Sequence, residues 1–332
     1  MPKANVLLLG AGAVGARAAR QLVEADDVAR VHIADPNGDR RAAVVRSTGD
    51  KARDAGVDGR DVRGRIDAVL LAGPVGTHLA PARDHLRQGR VVVSCSDGVD
   101  DAKALLDLGP EAEARGTRVV VGAGFSPGLS DVLVRHAARR FEVVDEVHVA
   151  RSGTGGPACA RAHHKALTGW SMDWRDGGWQ QRRSGSGREL CWFPDPLGAQ
   201  DCYRATLPDP ILLVPELPGV DRVTARLAAT RRDRLTAHLP MLRRPHPEGL
   251  VGAARVEVRG RRQGIQDVVV FGILDRPAVA AGATAALALR WALEGRLPAG
   301  AHGLAAIEDS TAFLAALAEV GIKAAVFEGS AV

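Results

Sequence analysis

The stretch Asn5-Val6-Leu7-Leu8-Leu9-Gly10-Ala11-Gly12-Ala13-Val14-Gly15 decides the fold. Its apolar first half has the length and composition of a buried strand, and it runs without a spacer into a glycine-rich turn. From Val14 to Glu24 the apolar residues Val14, Ala18, Leu22 and Val23 recur at a helical period, so strand, turn and helix follow one another directly. The three glycines have separate tasks. Gly10 permits the tight turn, Gly12 lets backbone approach a pyrophosphate, and Gly15 allows the helix to pack closely on the strand. Backbone N–H groups at Ala13 and Val14, with the positive end of the helix dipole, then face the phosphates.

A second apolar run, Val28 to Ala34, ends in Asp35, which lies 20 residues past Gly15. A carboxylate at that point accepts hydrogen bonds from the ribose hydroxyls of a dinucleotide. Asp35 favours NAD, because a 2′-phosphate would meet its negative charge. Arg40 and Arg41 follow closely enough to pair with such a phosphate, so NADP remains open.

A chain of 332 residues can hold two domains, each with its own core. No stretch approaches the roughly 20 consecutive apolar residues of a membrane span. Met1 to Leu9 lacks the pattern of a signal peptide, and a cytoplasmic protein is expected. Cys95, Cys159, Cys191 and Cys202 form no CxxC pair, which suggests neither a metal site nor a disulfide framework. Although the net charge is +5, the 39 arginines are dispersed and have no aromatic platform beside them, so nucleic-acid binding is not expected.

Beyond Asp35 the pattern predicts a helix from Asp39 to Ala55, a strand at Ala68 to Ala72 and a helix from Leu79 to Gln88. The strand Val91 to Val93, a helix from Asp100 to Arg115 and the strand Arg118 to Val121 follow. This alternation is that of a doubly wound parallel sheet with helices on both faces, an α/β Rossmann domain. Gly73-Pro74 and Ser94-Cys95-Ser96-Asp97 fall at its carboxyl edge, where a cofactor lies; Gly73, Pro74 and Ser94 are read as cofactor contacts and Cys95 as a substrate contact. His78 is divided between a ring contact and a solvated helix start. Asp97 could hold a substrate ammonium or cap the next helix. After Phe141 the runs become alternating strands between Gly, Pro and Asp turns, clearest at Arg255 to Arg259, which predicts a mostly antiparallel sheet. Helices are expected at Pro157 to Trp174 and Arg231 to Leu242 to cover it. Further helices at Pro277 to Leu293 and Ser310 to Val320 and a strand at Ala324 to Phe327 are expected to return to the first domain. The divisions are 1–128, 129–275 and 276–332.

The fingerprint at Gly10 to Gly15, the loop after Val93 and the turn Gly124-Phe125-Ser126-Pro127-Gly128-Leu129-Ser130 together resemble the saccharopine dehydrogenase family. That family includes saccharopine reductases, lysine 6-dehydrogenase-like enzymes and carboxynorspermidine and homospermidine synthases. The resemblance implies an NAD(P)-dependent oxidoreductase acting on a carbon–nitrogen bond of an amino acid or polyamine-like substrate. It also implies a second domain of α+β type, with Gly124 beside the cofactor and Ser126, Pro127, Gly128 and Ser130 at the junction near the substrate. Among the titratable residues, His163, His164, Lys165 and Asp97 are the catalytic candidates, since a histidine or a desolvated lysine can take a proton near neutral pH. Arg151, Arg161 and Arg188 could clamp a substrate carboxylate, and Arg161 is placed at the substrate. Trp170, Trp174, Trp179 and Trp192 are expected in the core of the second sheet rather than around a cationic pocket. A homodimer is expected through the free sheet face. Two rivals remain. A sugar or polyol dehydrogenase resembling the type with a Glu-Lys-Pro motif is disfavoured, because Ser94-Cys95-Ser96-Asp97-Gly98-Val99 stands there. A sensor that binds NAD(P) without turnover is the other.

Overall fold

The computed structural model describes residues 3–241 and 244–327. β1 (Ala4–Leu9) enters the glycine turn and α1 (Ala13–Glu24), then come β2 (Val28–Ala34), α2 (Gly38–Thr48), β3 (Ala52–Asp54), β4 (Ala68–Leu71) and α3 (Leu79–Arg87). β5 (Val91–Ser94), α4 (Val99–Leu106), α5 (Gly109–Ala114), β6 (Arg118–Val120) and α6 (Leu129–Ala138) complete the first unit. The second begins with β7 (Val143–Ser152) and α7 (Pro157–Ala166), followed by β8 (Trp170–Arg175), β9 (Gly178–Arg183), β10 (Glu189–Trp192) and β11 (Ala199–Arg204). α8 (Asp209–Leu213), β12 (Arg222–Ala228), α9 (Arg231–Thr236), β13 (Gly252–Arg262) and β14 (Ile265–Asp275) follow. The chain continues through α10 (Pro277–Leu293), β15 (Gly300–His302), α11 (Ser310–Glu319) and β16 (Ala324–Phe327).

The first sheet has the order β15-β6-β5-β4-β1-β2-β3 and is parallel throughout. The strand order switches sides between β1 and β4, with β2 and β3 added to one side and β4, β5 and β6 to the other. That is where the crevice of a doubly wound sheet opens, outside the carboxyl ends of the strands. The second sheet runs β10-β11-β12-β7-β13-β14-β16 with β8 and β9 attached through β12; only β12 with β7 is parallel. Both expected sheets are therefore present. α6 packs against β7, β13 and β14 as well as α10 and α11, so one helix serves both cores.

Several element expectations are corrected. Residues 39–55 do not form one helix: Gly49, at φ +78, ends α2, and Ala52–Asp54 pairs with β2. Gly109-Pro110 divides the helix expected over 100–115 into α4 and α5, since proline interrupts the hydrogen-bond ladder and fits the start of a new helix. The helix expected from Pro157 to Trp174 stops at Ala166, and Trp170–Arg175 forms a hairpin with β9. α9 is shorter than expected and ends at Thr236; Leu242 lies outside the described residues. β16 pairs with β14, so the last described strand joins the second sheet rather than the first. The tryptophan cluster is not core: Trp170, Trp179 and Trp192 are exposed, and Trp174 alone is tied inward, through Nε1 to the Val220 carbonyl at 2.9 Å.

α10, rich in alanine, packs on α1 of the first unit. A Cβ at Gly282 would stand 2.6 Å from the Arg17 Cβ and 2.8 Å from the Ala18 nitrogen, which shows how closely α10 lies on α1. Its Trp291 meets Phe313 edge-on at 5.0 Å between centroids, an aromatic contact worth about 1 kcal/mol beyond its buried area.

Candidate active site

The glycine turn is built as its sequence requires. Gly10 has φ +107, and a Cβ there would come 2.7 Å from the Ala72 carbonyl carbon. A Cβ at Gly15 would overlap the Gly10 carbonyl oxygen. At Gly12, by contrast, a Cβ would meet only Arg40 Nη1 at 3.9 Å, and no side chain caps α1. The turn thus leaves its helix N-terminus open, and backbone donors at Ala13 and Val14 are available to an anion. A dinucleotide pyrophosphate fits this cradle.

Asp35 is buried and braces the turn: Oδ2 accepts from the Ala11 N–H at 2.7 Å and Oδ1 from the Asn37 N–H at 2.8 Å. Each oxygen keeps capacity for a second donor such as a ribose hydroxyl. Arg40 Nη1 stands 3.8 Å from Asp35 Oδ2 with half of its side chain exposed, whereas Arg41 is tied to the Asp35 carbonyl and to Asp54, both at 2.6 Å. Of the two arginines, Arg40 is the one left to meet a ligand.

A cleft of about 880 Å³ opens over this turn, at the upper end of the range for small-ligand sites. Ala11 to Val14, Gly73, Pro74, Cys95, Asp97, Gly124, Ser126 and Pro127 line it from the first unit. From the second come Arg151, Gly155 to Cys159, Arg161 and His163. The glycines of that second loop let it sit against α1: a Cβ at Gly156 would come 3.1 Å from the Ala13 Cβ. The close approach carries the first two turns of α7 to the mouth of the dinucleotide cradle.

Asp97 and His163, 66 residues apart, meet in this cleft, with His163 Nε2 at 2.8 Å from Asp97 Oδ2. Arg151 Nη2 stands 3.5 Å from the same oxygen, and Cys159 Sγ lies 3.5 Å from the same ring nitrogen. Burial alone would raise the Asp97 carboxyl, but the hydrogen bond and charge of His163 and the Arg151 guanidinium outweigh it and hold Asp97 at about 2. Burial alone would lower the His163 imidazole. The Cys159 sulfur and Asp97 override that and the opposing Arg151 charge, raising His163 to about 9. At neutral pH the pair is therefore an imidazolium on a carboxylate. The ligand atoms of Asp97, Cys159 and His163 lie within 4.8 Å of one another, a metal-like spacing, but the shared proton and the neighbouring guanidinium make this an ion-pair cluster. Cys95 is a different case: burial pushes its thiol up to about 12.

Other expected site residues are placed elsewhere. His164 Nε2 turns to the carbonyls of Thr236 and Leu239 at 3.0 and 3.1 Å, and Lys165 is exposed and outside the cleft lining. Neighbouring positions on a helix point about 100° apart, so only one of three consecutive residues faces the cleft. Ser94 is fully buried under the cleft floor, bonded to His78 Nδ1 at 2.9 Å. His78, itself buried and also bonded to the Gly73 carbonyl, braces that loop; burial lowers its pKa and keeps the ring neutral. Gly128, at φ +117, folds back on Gly124 rather than lining the cleft. Arg188 pairs with Asp201 at 2.8 Å, away from the site. Sequence reasoning missed Cys159, whose i,i+4 spacing to His163 was readable. It also missed Asp209, which nothing local marks, and it gave Arg151 no weight over other arginines.

Residues 6–108 match the family model described as the saccharopine dehydrogenase NADP binding domain. No curated protein matches the chain in sequence. Among solved structures, an amine dehydrogenase from Mycobacterium smegmatis is similar with TM-score 0.53 at 11% identity, covering 92% of this chain and 96% of that one. A probable dehydrogenase from Thermotoga maritima has TM-score 0.51 at 11% identity over 97% and 98% of the two chains. The C. glutamicum DAP dehydrogenase, solved in complex with DAP, has TM-score 0.50 at 14% identity over 92% and 94%. These likenesses establish the two-domain fold. Among the described residues no helix is long and apolar enough to cross a membrane. Residues 6–108 thus form a domain similar to the saccharopine dehydrogenase NADP binding domain, the nucleotide-binding unit of an NAD(P)-dependent oxidoreductase.

Proposed function

We propose that the cleft works on a carbon–nitrogen bond of an amino acid or polyamine-like substrate. One observation carries this reading: His163, bonded to Asp97, lines the same cleft as the dinucleotide cradle. A bound nicotinamide would supply or take the hydride. The protein's own residues handle the proton and the substrate's position. In the reductive direction His163 donates its proton to the nitrogen of a substrate imine or to the departing oxygen of a carbinolamine. Asp97 keeps the ring oriented and charged. Arg161, exposed at the rim, is available for a substrate carboxylate. The test is a panel of amines, amino acids, amine and oxo-acid pairs and polyols, followed at the absorbance of the reduced nicotinamide. Turnover of polyols alone would overturn the reading, and cofactor binding with no turnover would support the sensor.

His163 also sets the pH dependence. Its raised pKa means that the charged pair is intact below the unfolded histidine value of 6.5 and is lost as pH rises through about 9. The depressed Asp97 acts at the other limb, contributing above the unfolded value of 3.8 and failing as pH falls towards about 2. Reductive turnover should hold up to the alkaline range and fall through pH about 9; a fall centred near 6.5 would mean the pair is not formed.

Asp35 favours NAD, and Arg40 keeps NADP open, because its guanidinium stands beside Asp35 and over Gly12 and can neutralise a 2′-phosphate. Arg40→Ala is expected to weaken NADPH about tenfold, as loss of one charge-assisted contact of about 1.5 kcal/mol would, and NADH little. Equal weakening of both would place the phosphate elsewhere.

A further inference from the structure

Ser126 lines the cleft, and its hydroxyl donates to Asp209 Oδ1 at 2.9 Å. With its proton committed to that carboxylate, the serine oxygen presents lone pairs, not a donor, to whatever enters. Asp209 opens α8, and Asp131 lies in the first turn of α6, which packs on α8; both are fully buried. One oxygen of each, Asp131 Oδ2 and Asp209 Oδ2, is out of contact with water and has no partner among the described residues. Two carboxylates buried within reach of each other's charge and away from water resist being ionised together. Burial first and the Asp209 charge second push Asp131 well above the carboxylate range. Ser130 Oγ at 3.3 Å, a backbone hydrogen bond at Gly128 and the charge of Arg151 on β7 oppose this without reversing it. The pair therefore holds one proton and one negative charge.

This arrangement supplies what the His163 cluster lacks. An imidazolium gives a proton but cannot take one, while oxidation of an amine begins with the loss of a proton from the substrate ammonium. We propose that Ser126 is a catalytic residue that takes this proton, with Asp209 and Asp131 as the positioning acid pair that receives it behind the cleft wall. The inference rests on the carbon–nitrogen reading above. The substrate N–H bond breaks towards Ser126 Oγ, its electron pair stays on nitrogen, and the serine's own proton passes to Asp209 Oδ1. The acid pair goes from one shared proton to two, and reduction returns the proton by the same route. Acid and base then stand as two groups whose surroundings drive their proton affinities apart, His163 beside a carboxylate and the aspartates beside each other.

Infrared spectroscopy of the purified full chain tests the pair without substrate. The carbonyl stretch of a protonated carboxylic acid is expected at neutral pH in the wild type and should be absent in Asp131→Asn, where an amide replaces the carboxyl whose pKa is raised. Kinetics test the route: Ser126→Ala and Asp209→Asn should lower kcat for amine oxidation about 100-fold with the KM for cofactor unchanged, and Ser126→Thr should recover most of the loss. Circular dichroism and cofactor affinity separate this from misfolding. Absence of the carboxylic acid band in the wild type overturns the inference, as does Ser126→Ala with kcat within about twofold of wild type. If the wild type oxidises no amine, the carbon–nitrogen reading fails, and the infrared result still decides whether the pair keeps its proton.

Discussion

Replacing His163 with asparagine is expected to lower kcat about 100-fold or more while leaving the cofactor KM where it was, because general acid catalysis contributes 10²–10⁴-fold. The asparagine amide ends at the level of ring Nδ1, short of the Nε2 that bonds Asp97 Oδ2, so the transferable proton and the donor to Asp97 are lost together. His164→Asn is the matched control. That ring bonds the carbonyls of Thr236 and Leu239 outside the cleft, so its loss should be felt as slightly reduced stability and not in kcat. Steady-state kinetics in the reductive direction separate the two variants. Equal effects at positions 163 and 164 would mean that α7 matters only as a scaffold, and the acid would have to be sought among other groups.

Gly15→Ala is expected to remove cofactor binding and to cost about 3 kcal/mol or more of stability, the upper part of the range for overpacking a tight site. The new methyl would occupy the space of the Gly10 carbonyl oxygen, and neither backbone can yield, since Gly10 itself is held against Ala72. Calorimetric titration with both coenzymes and thermal unfolding measure the two effects. Gly12→Ala makes the contrast, because a Cβ there meets nothing nearer than Arg40 Nη1 at 3.9 Å. That variant should fold normally and lose affinity only through the space a pyrophosphate needs. Unimpaired coenzyme binding by both variants would show that the turn is not a phosphate cradle.

The parts of the fold that were legible in the sequence share a feature: their signal is local. Val28–Ala34 was read in full and the glycine turn in detail, and the alanine-rich run gave α10 its bounds at Pro277 and Leu293. Hydrophobic period, glycine spacing and a proline at a helix start are set within a few residues by sterics and burial. Where expectation failed, a short element competed with a longer pattern. Ala52–Asp54 continues the apolar rhythm of α2, yet it becomes a strand because β2 presents an unpaired edge there. The exposed tryptophans follow the same rule, since whether a β8–β9 hairpin has a covered face depends on what packs over it, not on its composition.

By itself the sequence determined the dinucleotide cradle, the parallel sheet that carries it, the mostly antiparallel second sheet and the short list from which the acid would come. The tertiary structure alone decided which of His163, His164 and Lys165 faces the cleft. It alone brought Asp97 within 2.8 Å of His163 from 66 residues away. It also bonded Ser126 to Asp209 from 83 residues away, and gave Arg40 and Arg41 different partners. The physical reason is that backbone preference is a local property, while the charge state of a side chain depends on the groups that folding places around it and on the water it excludes.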